Sequence, residues 1–508
     1  MTTSGRAWAL AALSGVLLFL SFPKFGHGAV AFVALAPLLV ALNEAGLRRG
    51  FWLGYLTGVV SSVGLLYWTC LVVVQYGGLS LPLGVAAMLL LCLAFALFHG
   101  LFGALVGHWS ARRGPAALLF APVAWVGCEL LRAHTLCRFA WCLLGYTQAD
   151  HESLIQVASV TAVYGVSFLV CLVSAAAAYV AVEKRTAARV RAASAVAAIV
   201  AAAWGFGRWR LSAPVHESGR IRVGLVQADI LQEDKWDEAQ ALENVQRHVA
   251  LTREATARGA RLVVWPESAV PSYFDLDPFV AEPLRELARD SSIHLLFGND
   301  DTDDGPPSSP SRRIWVGAKM LSPAGEVAFR YHKMRLVPFG EYTPFESVLS
   351  LGGRFTARVV QAVGTFTAGT EHSVGAVDGH RLSALICYEA IFPDLVREFT
   401  SRGSELLVNI TNDAWYGRTS AAYQHFAMAR FRAVENGRYL VRAANTGISA
   451  VVDPRGRVLE STPLFVPALV VRDVPFVAET TFYSRRGDVF AWACLGAAAA
   501  LTAGVARR

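Results

Sequence analysis

The chain has 508 residues, of which 54% are hydrophobic and only 17% are charged. A soluble domain usually carries about a quarter charged residues, so the composition excludes a disordered chain, a collagen and an ordinary single soluble domain. The net charge is +7, and a basic excess is typical of proteins that bind nucleic acid or an anionic membrane. The excess lies entirely in residues 1–207, which hold 12 Lys and Arg against 5 Asp and Glu. Because that half is also strongly apolar, the pattern indicates a membrane and not nucleic acid.

Eight apolar stretches are candidates for membrane-spanning helices, each of which needs about 20 mostly apolar residues. They lie at 8–23, 28–43, 51–73, 81–107, 115–131, 154–182, 190–207 and 489–505. We therefore predict seven spans within 1–207, an extramembrane domain at 208–485, and an eighth span with a short tail at 486–508. The first stretch is not expected to be a cleaved signal peptide, because six further spans follow it directly.

The Lys and Arg residues of the short loops predict the orientation of these spans. With a cytoplasmic N-terminus, 11 of them lie on the cytoplasmic side and 3 on the outer side. Both termini are then cytoplasmic, and the domain at 208–485 is extracytoplasmic. One outer loop holds Cys137 and Cys142, which could form a disulfide in an oxidising compartment or remain two thiols.

The domain at 208–485 alternates between apolar, β-branched runs and Ala-, Glu- and Arg-rich runs, which is typical of an α/β fold. A hairpin turn is expected at 322–325, and a loop at 300–313, from their Pro, Ser and Gly content. The predicted strands cover 221–230, 261–268, 293–299, 314–321, 326–333, 381–390, 405–412 and 439–453, and the predicted helices cover 236–259, 283–292 and 421–437.

Chemically useful side chains stand at the ends of three predicted strands. Glu267 ends the WPES segment, Lys333 and Glu341 lie in HKMRLVPFGEY, and Cys387 lies in LICYEA. A thiolate is a nucleophile, a carboxylate can accept its proton, and an ammonium can stabilise a tetrahedral oxyanion. Each residue also has an ordinary structural interpretation: Cys387 as a core residue, Lys333 as a solvated charge and Glu267 as a turn residue.

The order WPES, YHK-x2-LVPFGEY and CYE resembles the nitrilase superfamily, whose triad is Glu-Lys-Cys. Membrane spans before these motifs, one span after them and NDAWYG downstream of CYE narrow the resemblance to the apolipoprotein N-acyltransferase family. That resemblance covers essentially the whole chain. It implies an α-helical eight-span transmembrane body that carries a nitrilase-like four-layer α-β-β-α sandwich domain.

The resemblance also implies roles for individual residues. Cys387 matches the nucleophile that carries an acyl thioester, Glu267 matches the general base, and Lys333 matches the residue that stabilises the tetrahedral intermediate. The remaining matches are Glu341, Tyr388 and Glu389 as active-site support, and Trp236 and Trp415 as tryptophans at the active-site mouth. From its aromatic character and outer-loop position we add Trp141 as a candidate for the lipid entrance.

The implied partners are a phospholipid acyl donor, a diacylated apolipoprotein acceptor and the bilayer of the bacterial inner membrane. No metal, other cofactor or nucleic acid is expected, and we expect a monomer. Two features depart from the family. Ala140 stands where the family commonly has Pro, and the 300–313 loop is unusually acidic and rich in Pro and Ser.

Two alternatives differ in class from an acyltransferase. The chain could be a membrane-anchored nitrilase-type amidase that hydrolyses a small amide, which would use the same triad but would not need eight spans. It could also be a non-enzymatic transporter or scaffold, in which case replacing Cys387 by Ala would leave its function intact.

Overall fold

A computed structural model describes residues 3–135, 138–235, 238–303, 312–344 and 366–506. The chain divides into two compact units. The first, here the helical unit, comprises Met1–Ala213, Thr419–Glu435 and Thr481–Arg508, and the second, here the sheet unit, comprises Pro214–Arg418 and Asn436–Thr480. The helix formed by 420–436 therefore groups with the helical unit, although it lies between strands of the sheet unit in sequence.

The described residues form helices in both units, with short 3₁₀ turns between several of them. In chain order the α-helices are α1 (Thr3–Leu20), α2 (Gly28–Ala34), α3 (Ala36–Leu42), α4 (Gly46–Leu66), α5 (Trp68–Gln75), α6 (Leu81–Arg113), α7 (Ala121–His134), α8 (Glu152–Ile155), α9 (Ala158–Val182), α10 (Thr186–Ser212), α11 (Glu238–Ala257), α12 (Pro278–Asp290), α13 (Pro393–Ser401), α14 (Ser420–Asn436), α15 (Phe482–Arg486) and α16 (Val489–Ala506).

Four helical segments of the described chain are long and apolar enough to cross a membrane: Leu81–Arg113, Pro115–His134, Ala158–Val182 and Thr186–Ser212. The pair α4 and α5, bent by 52°, adds a fifth if it is one broken span. The segments Gly5–Leu20, Gly28–Leu42 and Val489–Val505 are apolar helices of lesser length. The predicted stretches therefore fall on helices, but a count of eight spans is not confirmed, because these three helices are shorter than the roughly 20 residues that a span needs.

Close contact between α4 and α6 organises the helical unit. Gly50, Gly54 and Gly58 recur every four residues on one face of α4. A Cβ atom on Gly50 would lie 2.3 Å from the carbonyl oxygen of Gly103, and one on Gly54 would lie 2.2 Å from the carbonyl oxygen of His99. Small residues with this spacing let two apolar helices approach at backbone distance, where van der Waals packing holds them together.

The sheet unit contains two six-stranded sheets. Their orders are β12-β1-β2-β3-β4-β5 and β11-β10-β9-β8-β7-β6. The neighbours β1, β2 and β3 are parallel, as are β7, β8 and β9, and the outer pairs are antiparallel. The strands are β1 (Glu217–Gln227), β2 (Leu262–Val264), β3 (His294–Thr302), β4 (Ile314–Leu321), β5 (Val327–His332), β6 (Gly375–Val377), β7 (His380–Ile386), β8 (Leu406–Thr411), β9 (Tyr439–Ala444), β10 (Ala450–Val452), β11 (Val458–Ser461) and β12 (Ala468–Val477).

The central parallel strands are the most deeply buried parts of the sheet unit. Every residue of β2 and β8 is buried, and apolar residues of α11, α12 and β1 to β3 form one core cluster. This burial explains why these strands read as continuous apolar runs in the sequence. Because neighbouring parallel strands end at the same edge of the sheet, the residues that follow them lie close together.

Most predicted elements of the sheet unit are present, several with shifted boundaries, and three of these changes alter where an element begins, divides or ends. The predicted 300–313 loop begins later, because β3 continues to Thr302, which pairs with Ile314 of β4; residues 304–311 lie outside the described chain. The predicted strand at 439–453 is two antiparallel strands, β9 and β10. The predicted strand at 381–390 ends at Ile386, where a 3₁₀ turn begins at Cys387.

We predict that breaking the buried ion pair of Arg442 and Asp413 strongly destabilises the sheet unit. Its Nη2–Oδ2 distance is 2.8 Å, and both side chains are buried. Arg442→Met should lower the free energy of unfolding by about 3–5 kcal/mol, because it leaves a buried carboxylate without its guanidinium. Thermal unfolding of the detergent-solubilised protein measures this.

The matched control is Arg222→Met, which removes a half-exposed ion pair with Asp473. Exposed pairs contribute about 0–1 kcal/mol, so this variant should unfold close to the unmodified protein. Equal losses of stability in the two variants would contradict the importance of the buried pair.

Candidate active site

Four strand ends of the sheet unit bring the predicted catalytic side chains together. Glu267 lies just beyond β2, Lys333 follows β5, Cys387 follows β7, and Asn412 follows β8. All four residues are buried. Ligand sites of α/β folds commonly form outside the carboxyl ends of strands, and the order of the strands explains why residues far apart in sequence meet here.

Lys333 occupies the centre of this group. Its Nζ atom donates a hydrogen bond to Oε1 of Glu267 at 3.1 Å and another to Oε1 of Glu341 at 2.5 Å. The ammonium is fully buried. Burial works against its charge, but the carboxylates of Glu267 and Glu341 outweigh that effect, so the pKa of Lys333 lies well above its ordinary value. We call Lys333, Glu267, Glu341 and Cys387 the Lys333 cluster.

The two carboxylates are also held from other directions. The backbone N–H of Asn412 donates to Oε2 of Glu267 at 2.9 Å, and that of Val337 donates to Oε2 of Glu341 at 2.8 Å. Glycine at position 298 is required for the first arrangement, because a Cβ there would lie 2.7 Å from the Cα of Glu267. Both oxygens of Glu267 are thus oriented before any substrate is bound.

Cys387 stands at a sharp change of direction between β7 and a 3₁₀ turn. Its φ angle is +50°, a left-handed conformation that is uncommon for residues other than Gly and that often marks functional sites. The thiol is buried, and burial together with the negative charge of Glu267 raises the pKa of Cys387 well above its ordinary value. The Lys333 ammonium and a hydrogen bond with Thr411 act in the opposite direction.

Glu389 links the loop that carries Lys333 to the turn that carries Cys387. Its Oε1 accepts hydrogen bonds from the hydroxyl of Tyr331 at 2.6 Å and from the backbone N–H of Met334 at 2.7 Å. Its Oε2 accepts one from the backbone N–H of Ile386 at 2.8 Å. One buried carboxylate therefore fixes the backbone next to Lys333 and next to Cys387.

The other predicted residues occupy different surroundings. Tyr388 is buried and packs edge-on against Phe392. Trp415 lies on the 3₁₀ turn Asp413–Tyr416 and is partly exposed. Trp236 lies outside the described residues. Trp141 belongs to the helical unit, where its indole N–H donates to Oε1 of Gln424 at 2.8 Å.

Several residues of the site are not evident from sequence reasoning. Lys235 is buried and its Nζ donates to the backbone oxygen of Glu267 at 2.7 Å. Asp300 is close enough for the charges of Lys235 and Glu267 to affect it, and burial raises its pKa to about 7. In the sequence, Asp300 is a charged residue beside an apolar strand, and Lys235 is a charged residue in a loop beside an aromatic residue. Such patterns are common in all proteins and do not by themselves indicate a functional site.

This arrangement provides the parts of an acyl-transfer site. A neutral thiol stands near a carboxylate that can take its proton, and a permanent positive charge is available for a developing oxyanion. Within the described ranges, no group of three or more His, Cys, Asp or Glu side chains is arranged as a metal site.

Two family models match the chain. The apolipoprotein N-acyltransferase N-terminal domain matches residues 14–176, and the carbon-nitrogen hydrolase model matches residues 222–480. Among solved structures, an amidase from Nesterenkonia sp. is 24% identical, with a TM-score of 0.39, and the match covers 54% of this chain and 96% of the amidase.

Relatives match over almost the full length. An apolipoprotein N-acyltransferase from Geobacter metallireducens is 40% identical, covering 99% of this chain and 96% of the relative. The enzymes of that name from Brucella melitensis and Chlorobaculum tepidum are 35% and 31% identical, covering 93% and 99% of this chain and 90% and 97% of the relatives. Identity of this extent across both units shows that the chain belongs to the apolipoprotein N-acyltransferase family.

Proposed function

We propose that the chain transfers a fatty-acyl group from a membrane phospholipid to the α-amine of the N-terminal diacylglyceryl-cysteine of an apolipoprotein. The observation that carries this is the Lys333 cluster, in which a buried ammonium and two carboxylates accompany the Cys387 thiol in a chain of this family. Lipoprotein N-acylation is the activity of the family, and the nitrilase-type domain makes the chain an acyltransferase of the nitrilase superfamily. The thioester route and the residue roles are our proposal.

In the first step, Sγ of Cys387 attacks the acyl carbonyl of the phospholipid ester. The thiol proton moves to Glu267, and the oxygen of the tetrahedral intermediate carries the negative charge beside the Lys333 ammonium. The C–O ester bond then breaks, and Glu267 returns the proton to the departing lysophospholipid. The product is an acyl thioester on Cys387.

In the second step, the neutral α-amine of the diacylglyceryl-cysteine attacks the thioester. Glu267 accepts a proton from the nitrogen, the C–S bond breaks, and the proton passes to Sγ, which restores the thiol. A thioester suits this step because it reacts with amines more readily than with water. Glu341 keeps the Lys333 ammonium in place in both steps, and Glu389 holds the backbone on either side.

The substrates explain why a hydrolase-type domain is joined to apolar helices. Each buried CH₂ group contributes about 0.8 kcal/mol to membrane attachment, so lipids with several acyl chains do not leave the bilayer readily. We propose that the chain is an inner-membrane enzyme with eight spans, which lie in 1–207 and 486–508. Both termini are in the cytoplasm, and residues 208–485 form a four-layer sandwich domain on the periplasmic side. The Lys and Arg of the short loops support this orientation. Trp236, Trp415 and Trp141 are proposed as lipid-entrance residues, and Tyr388 is proposed to support the active site.

The two alternatives are disfavoured. A small-amide hydrolase would not need the apolar helical segments. The named acyltransferases nevertheless match over 93% to 99% of the chain, and the match includes these segments. A non-enzymatic membrane protein would have no reason to keep a buried lysine between two buried carboxylates, because such a group destabilises a fold if any partner is lost.

We predict that Cys387 forms a fatty-acyl adduct with phospholipid alone and releases it only to an amine. Intact-protein mass spectrometry after incubation with phosphatidylethanolamine and phosphatidylglycerol should show one acyl adduct. Adding a diacylated lipopeptide should discharge the adduct and yield an N-acylated peptide of matching mass.

The control is Cys387→Ala, which should bind the same phospholipids and show no adduct. An adduct that is lost to water at the same rate with and without the lipopeptide would establish a hydrolase. The absence of any adduct on the folded protein would contradict the thioester route.

We predict that Glu267→Gln slows thioester formation about 10²- to 10⁴-fold, the usual contribution of a general base. The amide side chain can still occupy the site but cannot accept the thiol proton. Rapid-quench mass spectrometry of the first step measures the rate. Glu254→Gln, which alters an exposed ion pair on α11, is the matched control and should react at the unmodified rate. A Glu267→Gln rate within about threefold of the control would exclude Glu267 as the base.

A further inference from the structure

The strongest unassigned feature of the sheet unit is a second buried lysine beside the Lys333 cluster. Lys235 lies in the turn between β1 and α11, and only 5% of it is exposed. The side-chain amide of Asn244 on α11 donates to the backbone oxygen of Asp234 at 3.0 Å, which holds this turn against the helix. The Lys235 ammonium lies next to the main chain of Glu267, and its Nζ atom donates a hydrogen bond to the carbonyl oxygen at 2.7 Å.

Lys235 contacts the main chain of Glu267 and not its carboxylate in this hydrogen bond. The carboxylate of Glu267 is fixed by Lys333 and by the backbone N–H of Asn412, whereas its carbonyl group is fixed by Lys235. A small cavity with room for about one water molecule borders Lys235, Glu267 and His248. The residue proposed as the base is thus held at both its main chain and its side chain.

The surroundings of Lys235 are ionic as well as buried. Burial lowers the pKa of Lys235 to about 8, while Glu267, Asp300 and Cys387 act in the opposite direction. His248, whose pKa is lowered to about 4 by burial, also feels the charge of Lys235. Lys333 and Glu341 also interact with the charge of Glu267. Asp300, whose pKa burial raises to about 7, gains its negative charge near neutral pH. Lys235 loses its positive charge at somewhat higher pH, whereas the pKa of Lys333 lies well above its ordinary value.

We propose that Lys235 is a positioning residue for acyl transfer: its ammonium fixes the main chain of Glu267 and adds a second positive charge beside the Cys387 thiol. This inference rests on the proposed role of Glu267 as the base. A charge-assisted hydrogen bond is about twice as strong as a neutral one, so the protonated form holds Glu267 more firmly. Its charge also acts on Glu267, Asp300 and Cys387.

The direction of the expected pH effect depends on which protonation state of Lys235 supports acyl transfer. Protonated Lys235 is the active form, so its contribution is present below about pH 8 and is lost as the pH rises through that value. The first half-reaction is the appropriate measurement, because it contains no substrate amine whose own titration would interfere. The rate is the appearance of the Cys387 acyl adduct on the full-length protein, measured by rapid-quench mass spectrometry in detergent micelles that contain phosphatidylethanolamine and phosphatidylglycerol.

We predict that the unmodified protein loses rate near about pH 8 and that Lys235→Met is slower by about 10- to 100-fold at neutral pH, the effect of a small misplacement of a catalytic group. Lys235→Met should show no loss of rate near that pH. Lys235→Arg keeps the charge, because guanidinium has a pKa above about 12; it should retain most of the rate and move the loss to higher pH.

The matched control is Lys319→Met. Lys319 is an equally buried lysine, but its partners are Asp275 and Asp301. This variant tests the loss of a buried ammonium elsewhere in the unit, and it should keep the unmodified shape of the pH profile even if its stability falls.

Three results would overturn the inference. The first is a Lys235→Met rate and profile equal to those of the unmodified protein. The second is a Lys235→Arg variant as slow as Lys235→Met, which would show that shape matters and charge does not. The third is the same change of profile in Lys319→Met. All three leave the proposed function intact, whereas an unmodified protein that forms no adduct would overturn the proposed function itself.

Discussion

The site depends on one buried ammonium placed between two carboxylates. Lys333 is fully buried, and an ion placed there without partners would be destabilising by several kcal/mol. Glu267 and Glu341 supply those partners, and their own second oxygens are held by backbone N–H groups. The strand ends, Gly298 and the Glu389 hydrogen bonds all serve to keep these atoms at hydrogen-bond distance. Removing any one charge would leave the others buried and unbalanced, which would lower the stability of the fold.

The balance of charge in the cluster determines the chemistry that is possible there. Burial disfavours a charged thiolate at Cys387, and the negative charge of Glu267 adds to that effect and opposes the Lys333 ammonium. The pKa of the thiol is therefore raised, which favours a neutral thiol at rest over a preformed thiolate. A neutral thiol needs a base at the moment of attack, and Glu267 is oriented for that task. Lys333 then meets the negative charge when it reaches the acyl oxygen, without any need for solvent to rearrange.

Sequence patterns predict the strands of this unit well, because buried parallel strands such as β2 and β8 are continuous apolar runs. They also identify Glu267, Lys333 and Cys387, although only the ordered set of motifs separates these residues from ordinary core and surface residues. Sequence could not place Lys235 or Asp300, since their environment is created by β3, α11 and the Glu267 turn, which are brought together by long-range packing. Helix length also limits the prediction of membrane spans from the sequence. Apolar composition locates α1 and α16, but it does not determine whether such short helices cross a bilayer. The grouping of α14 with the helical unit likewise depends on contacts such as that of Gln424 with Trp141.

The protonation state of Cys387 at rest tests this account most directly. The infrared S–H stretching band can be isolated as the difference between the unmodified protein and Cys387→Ala, recorded at neutral pH and again at about pH 9.5, where an ordinary thiol with a pKa of about 8.5 is mostly ionised. The account predicts that the band of Cys387 is present at both pH values. A band that is missing at neutral pH would mean a resting thiolate stabilised by Lys333, and it would contradict the role of Glu267 as the base that takes the thiol proton.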